Sequence, residues 1–151
     1  MDLEYEFSYH ADLLPPVDVG PGVFGHRMFF EVSGGTFEGE RLKGTIGTGG
    51  GDWLLLGPDG HGRLDVRATF TTHDGAVLYL SYHGIIQVTE GVMAVLGGGT
   101  QPTDYGDQYF RTSPRWETGD ERYAWMTQAL WVGEGRLLPG PAVEYRVYRV
   151  T

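Results

Sequence analysis

No cysteine occurs among the 151 residues, which excludes a disulfide framework and thiolate chemistry. Positive charge is also scarce. Eleven Lys and Arg face 20 Asp and Glu, for a formal net charge of −9, and nucleic acids and anionic membrane surfaces both call for a basic patch. No apolar run approaches the ~20 residues of a membrane-spanning helix. The opening Asp2-Leu3-Glu4 has neither a basic n-region nor an apolar h-region, so no secretory signal is expected, and the location expected is cytoplasmic. The five histidines (His10, His26, His61, His73, His83) are scattered without HxH or HExxH spacing, so neither a metal nor another cofactor is expected. The triple glycine Gly49–Gly51 lacks the Gly-Lys-Ser/Thr of a phosphate loop, and no G-x-S-x-G elbow is present.

Glycine and aromatics are what the chain has in quantity: 25 glycines and 13% Phe, Trp and Tyr. Many glycines between short alternating runs indicate an all-β protein. The length fits a single domain over residues 1–151. Leu3 to Leu13 alternates apolar with acidic or polar residues and reads as a long first strand ended by Pro15-Pro16. Arg27–Val32 is a second strand, Gly34-Gly35 a turn, Thr36–Ile46 a third strand and Asp52–Leu56 a fourth. One short helix is expected at Glu90–Leu96, with Thr89 as N-cap and Gly97 as stop. An irregular segment, GGGTQPTDYGDQ, follows it and reads as a flap. Tyr109–Thr118 and Tyr123–Gly133 read as a strand pair around a TGDE turn, and Val143–Val150 as the last strand. The whole predicts a single closed antiparallel β-barrel of about 8–10 strands, because closure leaves no exposed edge.

Period-two alternation is sharpest in LDVRATF, residues 64–70. A two-residue Asp74-Gly75 turn would mix polar and apolar residues on each face. A three-residue loop, His73-Asp74-Gly75 with Gly75 left-handed, pairs Val66 with Tyr82, Ala68 with Leu80 and Phe70 with Leu78, and is the register expected. The other face then carries Asp65, Arg67, Thr69, Tyr79, Ser81 and His83. Such a face suits the wetted outside of a sheet. It also suits a polar barrel lining, which the bulk of Tyr79 and the nearby glycines favour.

These residues are the candidate site. Asp65 or His83 is a candidate general base, Arg67 and Arg111 candidate stabilisers of an enolate or carboxylate, and Tyr79 and Tyr109 proton donors or orienters. Asp52, Trp53, Glu117, Tyr123 and Trp125 are candidate substrate contacts, with the tryptophans better suited to a core.

FEVSGGTFEGERLKG, GGGDW, LDVRATF with THDGAVLYL, and FRTSPRWETGDERYAW, in that order, resemble a bacterial and fungal family catalogued as domain of unknown function 3237, also called uncharacterised protein family 0311. Asp52, Trp53, Asp65, Arg67, Tyr79, Arg111, Pro114, Glu117, Tyr123 and Trp125 match its pattern, whereas Glu40, Trp116 and Met126-Thr127 depart from it. The resemblance implies a closed barrel similar to lipocalin-like and allene-oxide-cyclase-like barrels, and members associated with catabolism or secondary metabolism of small organic compounds. The function expected is that of a cofactor-independent enzyme binding a mostly apolar, oxygenated small molecule. Its chemistry would be proton transfer of the isomerase, cyclase or lyase type. The alternatives are a non-catalytic lipocalin-like carrier and a purely structural subunit; the sequence leaves a homo-oligomer open.

Overall fold

A computed structural model describes residues 1–151. Its strands are β1 (Leu3–Leu13), β2 (Val17–Gly22), β3 (Gly25–Gly39), β4 (Lys43–Ile46), β5 (Gly51–Leu56), β6 (His61–Thr72), β7 (Val77–Gln87), β8 (Phe110–Glu117), β9 (Trp131–Leu138) and β10 (Ala142–Val150). Helix α1 (Glu90–Leu96) follows β7, and a 3₁₀ helix (Glu121–Gln128) follows β8.

The ring of neighbours runs β1, β10, β9, β8, β7, β6, then β4 with β5, then β3, and closes where β3 pairs β1. It is an antiparallel barrel of eight staves, because β4 and β5 are two halves of one stave between β3 and β6. In the same way β2 extends the stave of β1 past Pro15-Pro16 and pairs with the first half of β3.

The β6–β7 hairpin has the expected register: Val66 opposes Tyr82, Ala68 opposes Leu80 and Phe70 opposes Leu78. Gly75 has φ +91°, and the Thr72 N–H donates to the Ala76 carbonyl to close the loop. The orientation of the two faces is the reverse of the polar lining expected. Leu64, Val66, Ala68 and Phe70 are buried in the lumen, while Asp65, Arg67 and Thr69 are exposed on the outer wall. The reason is volume: an eight-stranded barrel interior is just wide enough for side chains to fill, so the apolar set packs there and the polar set keeps its water.

The two ends of the barrel differ. At one, Phe7, Phe37, Phe70 and Trp116 form an aromatic plug with ring centroids 4.9–6.2 Å apart. The 3₁₀ helix covers this end and buries Tyr123 and Met126 beneath it. It replaces the first half of the strand expected at Tyr123–Gly133. The Asp120 carboxylate accepts from the Arg122 N–H at 3.0 Å, and the Tyr123 hydroxyl reaches back to Asp74 at 2.9 Å, so this stretch satisfies itself without a neighbouring strand. Helix α1 covers the other end, capped by Thr89, whose hydroxyl accepts from the Val92 N–H at 3.2 Å. The segment after α1 is irregular, as expected, and is fastened rather than free: Thr103 exchanges hydrogen bonds with Leu137 on β9 at 3.0 Å, and Arg136 pairs with Asp104.

No turn forms at Gly34-Gly35. Instead β3 continues through them and bends against β1, whose register slips between Asp12 and Leu13. A Cβ on Gly35 (φ +145°) would lie 2.0 Å from the His10 carbonyl oxygen, so only glycine lets the two backbones close the ring there. Gly35→Ala should therefore lower stability by more than ~2 kcal/mol or prevent folding. Arg67→Ala, on the open outer wall, should stay within about 1 kcal/mol of wild type. Urea melts of both variants check this, and a cooperative Gly35→Ala melt at the wild-type midpoint would contradict the closure described.

Candidate functional site

The eleven residues singled out from sequence do not converge on one site; His83, Tyr109 and Arg111 share an open groove on the outer wall, and the others are dispersed. Asp65 faces His83 at 3.5 Å rather than Arg67, and both partners are largely exposed. Arg67 is exposed without an ion-pair partner, Tyr79 is half-buried opposite Thr69 and Glu117, and Glu117 is exposed. Arg111 lies over the ring of Tyr109, itself exposed. Trp53 stacks on Phe29 outside the barrel, ring centroids 4.1 Å apart. Trp125 sits half-buried in the 3₁₀ helix beneath the Arg41 guanidinium. Tyr123 is buried at the plugged end, holding Asp74. On geometry, the trio Asp65, Arg67 and Tyr79 faces outward, and of the eleven only Asp52 lines the lumen.

The strand alternation places Asp52 there. On β5, Asp52 and Leu54 point inward while Trp53 points out, and Asp52 is flanked across the sheet by Phe30 and Val66. The β5–β6 ladder opens between Trp53-Leu54 and Leu64-Asp65. In that gap the Asp65 N–H donates to Asp52 Oδ1 at 3.2 Å. Asp52 retains some exposure as a residue, but its carboxyl group sits among apolar walls. Burial pushes its pKa up from 3.8 to about 7. The Asp65 charge pushes the same way, whereas the Asp65 N–H and the Arg27 guanidinium pull it down.

The cavity holding Asp52 has a volume of about 50 Å³, room for more than one water molecule. Of its 21 lining residues 19 are hydrophobic, and Asp52 is the single acidic or basic one. Three tyrosines supply the remaining polarity: Tyr9 from β1, Tyr82 from β7 and Tyr145 from β10, all at most 6% exposed. Tyr145 lies in ring contact with both others, at 5.0 Å from Tyr9 and 5.6 Å from Tyr82. Gly135 on β9 makes room for it, since a Cβ there would come within 2.7 Å of the Tyr145 ring. The Tyr82 hydroxyl donates to the Tyr145 oxygen at 3.1 Å. The Tyr9 hydroxyl is buried without a hydrogen bond of good geometry, although it lies near enough to Tyr82 for the two hydroxyls to act on each other's pKa. Burial holds all three pKa values well above 10, with a smaller push from the Asp52 charge, so each remains a hydrogen-bond donor at neutral pH.

One carboxyl group that titrates near neutrality and three phenolic donors thus share an apolar chamber, an arrangement able to move a proton and to stabilise negative charge on an oxygen. The tyrosines were hidden in sequence because each occupies an inward position of a well-formed alternation and looks like core. Their signal is that a buried phenol needs a partner for its hydroxyl, and three on inward positions call for a polar centre.

Comparison with known proteins places this barrel among relatives. A UPF0311 protein of Rhodopseudomonas palustris, RPA1785, is 33% identical over 136 residues, covering 88% of this chain and 86% of that one. Its crystal structure, described as a conserved protein of unknown function, superposes with TM-score 0.87 at 31% identity over 100% of this chain and 99% of that one. A β-barrel-like protein from Acinetobacter baumannii superposes with TM-score 0.82 at 30% identity, over 99% and 96% of the two chains. An enzyme from Penicillium herquei shares the fold with TM-score 0.69 at 18% identity, over 97% and 93%. The family described as protein of unknown function DUF3237 matches residues 1–150. With the ordered motifs, the barrel and this match in agreement, the chain belongs to the DUF3237 (UPF0311) family.

Proposed function

We propose that the lumen is the active site of a proton-transfer enzyme for a small, mostly apolar, oxygenated molecule, with Asp52 as the general base. The observation that carries this is the placement of one carboxyl group, titrating at about 7, as the sole ionisable acid or base in an apolar chamber beside three tyrosine hydroxyls. A general base works best with a pKa near the working pH, and burial supplies that tuning here. In the step proposed, the Asp52 carboxylate takes a proton from carbon next to a carbonyl. A tyrosine O–H donates a hydrogen bond to the oxygen on which charge develops. The proton then returns from Asp52 to another atom of the same molecule, which gives isomerisation, or the enolate electron pair closes a ring or expels a leaving group. The use of this barrel by an enzyme in Penicillium herquei is in keeping with such a role. A carrier would need the apolar chamber but gains nothing from a carboxyl group held at a cost to stability.

Solvent exchange tests this without the natural substrate. In D₂O the protein should accelerate deuterium uptake next to the carbonyl of acetone, a neutral enolisable ketone small enough for the cavity, read by mass spectrometry. The rate should rise with pH to a plateau above about 7, as Asp52 ionises. Asp52→Asn should lower it roughly 100-fold or more. Equal rates in wild type and Asp52→Asn would sink the assignment, and binding without acceleration would favour the carrier.

The raised pKa also has a signature in stability. Between pH 3.8 and about 7 the folded state holds a proton on Asp52 that the unfolded chain has released, so stability falls as pH rises through this window. The loss amounts to at most roughly 4 kcal/mol, since each tenfold difference in proton affinity between the folded and unfolded chain is worth about 1.4 kcal/mol. Asp52→Asn should flatten that part of the pH–stability curve and exceed wild type in stability above neutrality. Chemical melts across the pH range check it; identical slopes for the two proteins would show that Asp52 titrates normally.

A further inference from the structure

We infer that the lumen admits an uncharged ligand bearing a hydrogen-bond-accepting oxygen, and that the poorly bonded Tyr9 hydroxyl is the group that receives this oxygen. The inference rests on the reading of the lumen as the ligand site and adds its selectivity.

The lining speaks first against charge. It contains no Lys, Arg or His, so nothing in it offsets a carboxylate, phosphate or sulfonate. Asp52, once ionised, would repel such an anion in a setting where water screens little. Eleven arginines and lysines are available to the chain, yet they lie on the outer wall or at the barrel ends. A cation fares poorly for a different reason. Taking an ammonium group out of water is costly, and one carboxylate among walls that are otherwise apolar does not offset it, since the phenol oxygens are weak acceptors and that of Tyr145 is already taken by Tyr82.

The hydroxyls speak next for an acceptor. The Tyr82 hydroxyl donates to the Tyr145 oxygen at 3.1 Å, so both take part in one hydrogen bond and the Tyr145 proton is left over. Tyr9 is 4% exposed, lines the same cavity, and makes no hydrogen bond of good geometry, its hydroxyl lying beside that of Tyr82 without being well aimed at it. Its ring is fixed by Phe70 at 5.2 Å and Tyr145 at 5.0 Å, so the hydroxyl cannot swing to the surface. A donor built into a rigid wall and left without a well-aimed partner in the free protein is pre-organised for a ligand oxygen, since no ordering is left to be done on binding. Discrimination of this kind exceeds what shape alone achieves, because a ligand lacking the oxygen leaves the buried donor stranded.

Four probes of closely similar size, small enough for a cavity of about 50 Å³, separate these statements: acetone, 2-methylpropene, acetate and isopropylammonium, titrated by NMR at about pH 8, where Asp52 is ionised. Acetone should bind in the lumen, with acetate and the ammonium at least about tenfold weaker. Tyr9→Phe removes one oxygen without opening a cavity. It should weaken acetone about three- to tenfold, leave 2-methylpropene unchanged, and keep or raise the melting temperature. A structural role for Tyr9 would instead move both ligands together. Acetate or the ammonium binding as well as acetone, equal losses for acetone and 2-methylpropene in Tyr9→Phe, or no binding of acetone would each overturn the inference. Deuterium exchange in Asp52→Asn separates the two readings. If exchange is lost there while Tyr9 selectivity is absent, only this inference fails. If exchange persists while Tyr9 selectivity holds, only the assignment of the base fails.

Discussion

The pairing of β1 with β3 is the constraint on which the rest depends. Without it the molecule would be an open sheet whose first and last members in the ring expose their backbone groups. With it, Phe7 to Leu13 runs beside Gly39 to Val32 and every stave acquires an inside and an outside. Closure needs the backbones to come closer than side chains permit, which is why glycine stands at Gly35. Once the ring is shut, the inward positions must fill a space of fixed width, and Phe, Leu, Val and Tyr fill it.

A chamber so dry amplifies whatever polarity it retains. Desolvation is the leading influence on Asp52 and on all three lumen tyrosines, and it acts in the same direction on each, favouring the protonated form. On the outer wall, by contrast, Asp65 and His83 face each other on adjacent strands in water. The distinction between a site and a surface decoration here is not residue type but which side of one strand it occupies. Retaining an ionisable Asp52 and a poorly bonded Tyr9 hydroxyl in the lumen costs folding free energy.

The barrel's two ends divide the labour. Phe7, Phe37, Phe70 and Trp116 interlock at edge-to-face and tilted angles and leave no room for a ligand. The 3₁₀ helix seals them from water, with Trp131 donating its indole N–H to the Met126 carbonyl at 2.8 Å. Toward α1 the lining thins to aliphatic residues such as Leu13, Leu96 and Leu137. A rigid plug beneath and a softer cover above leave the tyrosine layer between them as the floor of the chamber.

Much of this was legible in the residues themselves. Alternation marked β1, β6, β7 and β10, the separation of polar from apolar residues chose the loop at Gly75, and Thr89 with Gly97 bounded α1. These are local matters, settled by side-chain period, glycine's left-handed freedom and capping chemistry. The glycine-interrupted run of β9 and the 3₁₀ turn at Glu121–Gln128 were hidden, because Gly135 makes room for the rings of Tyr145 and Phe110 and Gly133 for the Thr112 side chain on the adjacent staves, and Asp120 and Asp74 hold the turn from outside it. Above all, period two says that a strand has two faces and is silent on which one faces in. The polar face of β6 and β7 looked like a pocket; only closure of the ring turned it outward, leaving Asp52 as the sole one of the eleven candidates in the lumen. The sequence by itself determined the first and last strands, the β6–β7 hairpin with its register, helix α1 and the family. The tertiary structure decided the site, because burial, which tunes Asp52 and leaves Tyr9 poorly bonded, is a property of the closed barrel and not of any stretch of chain.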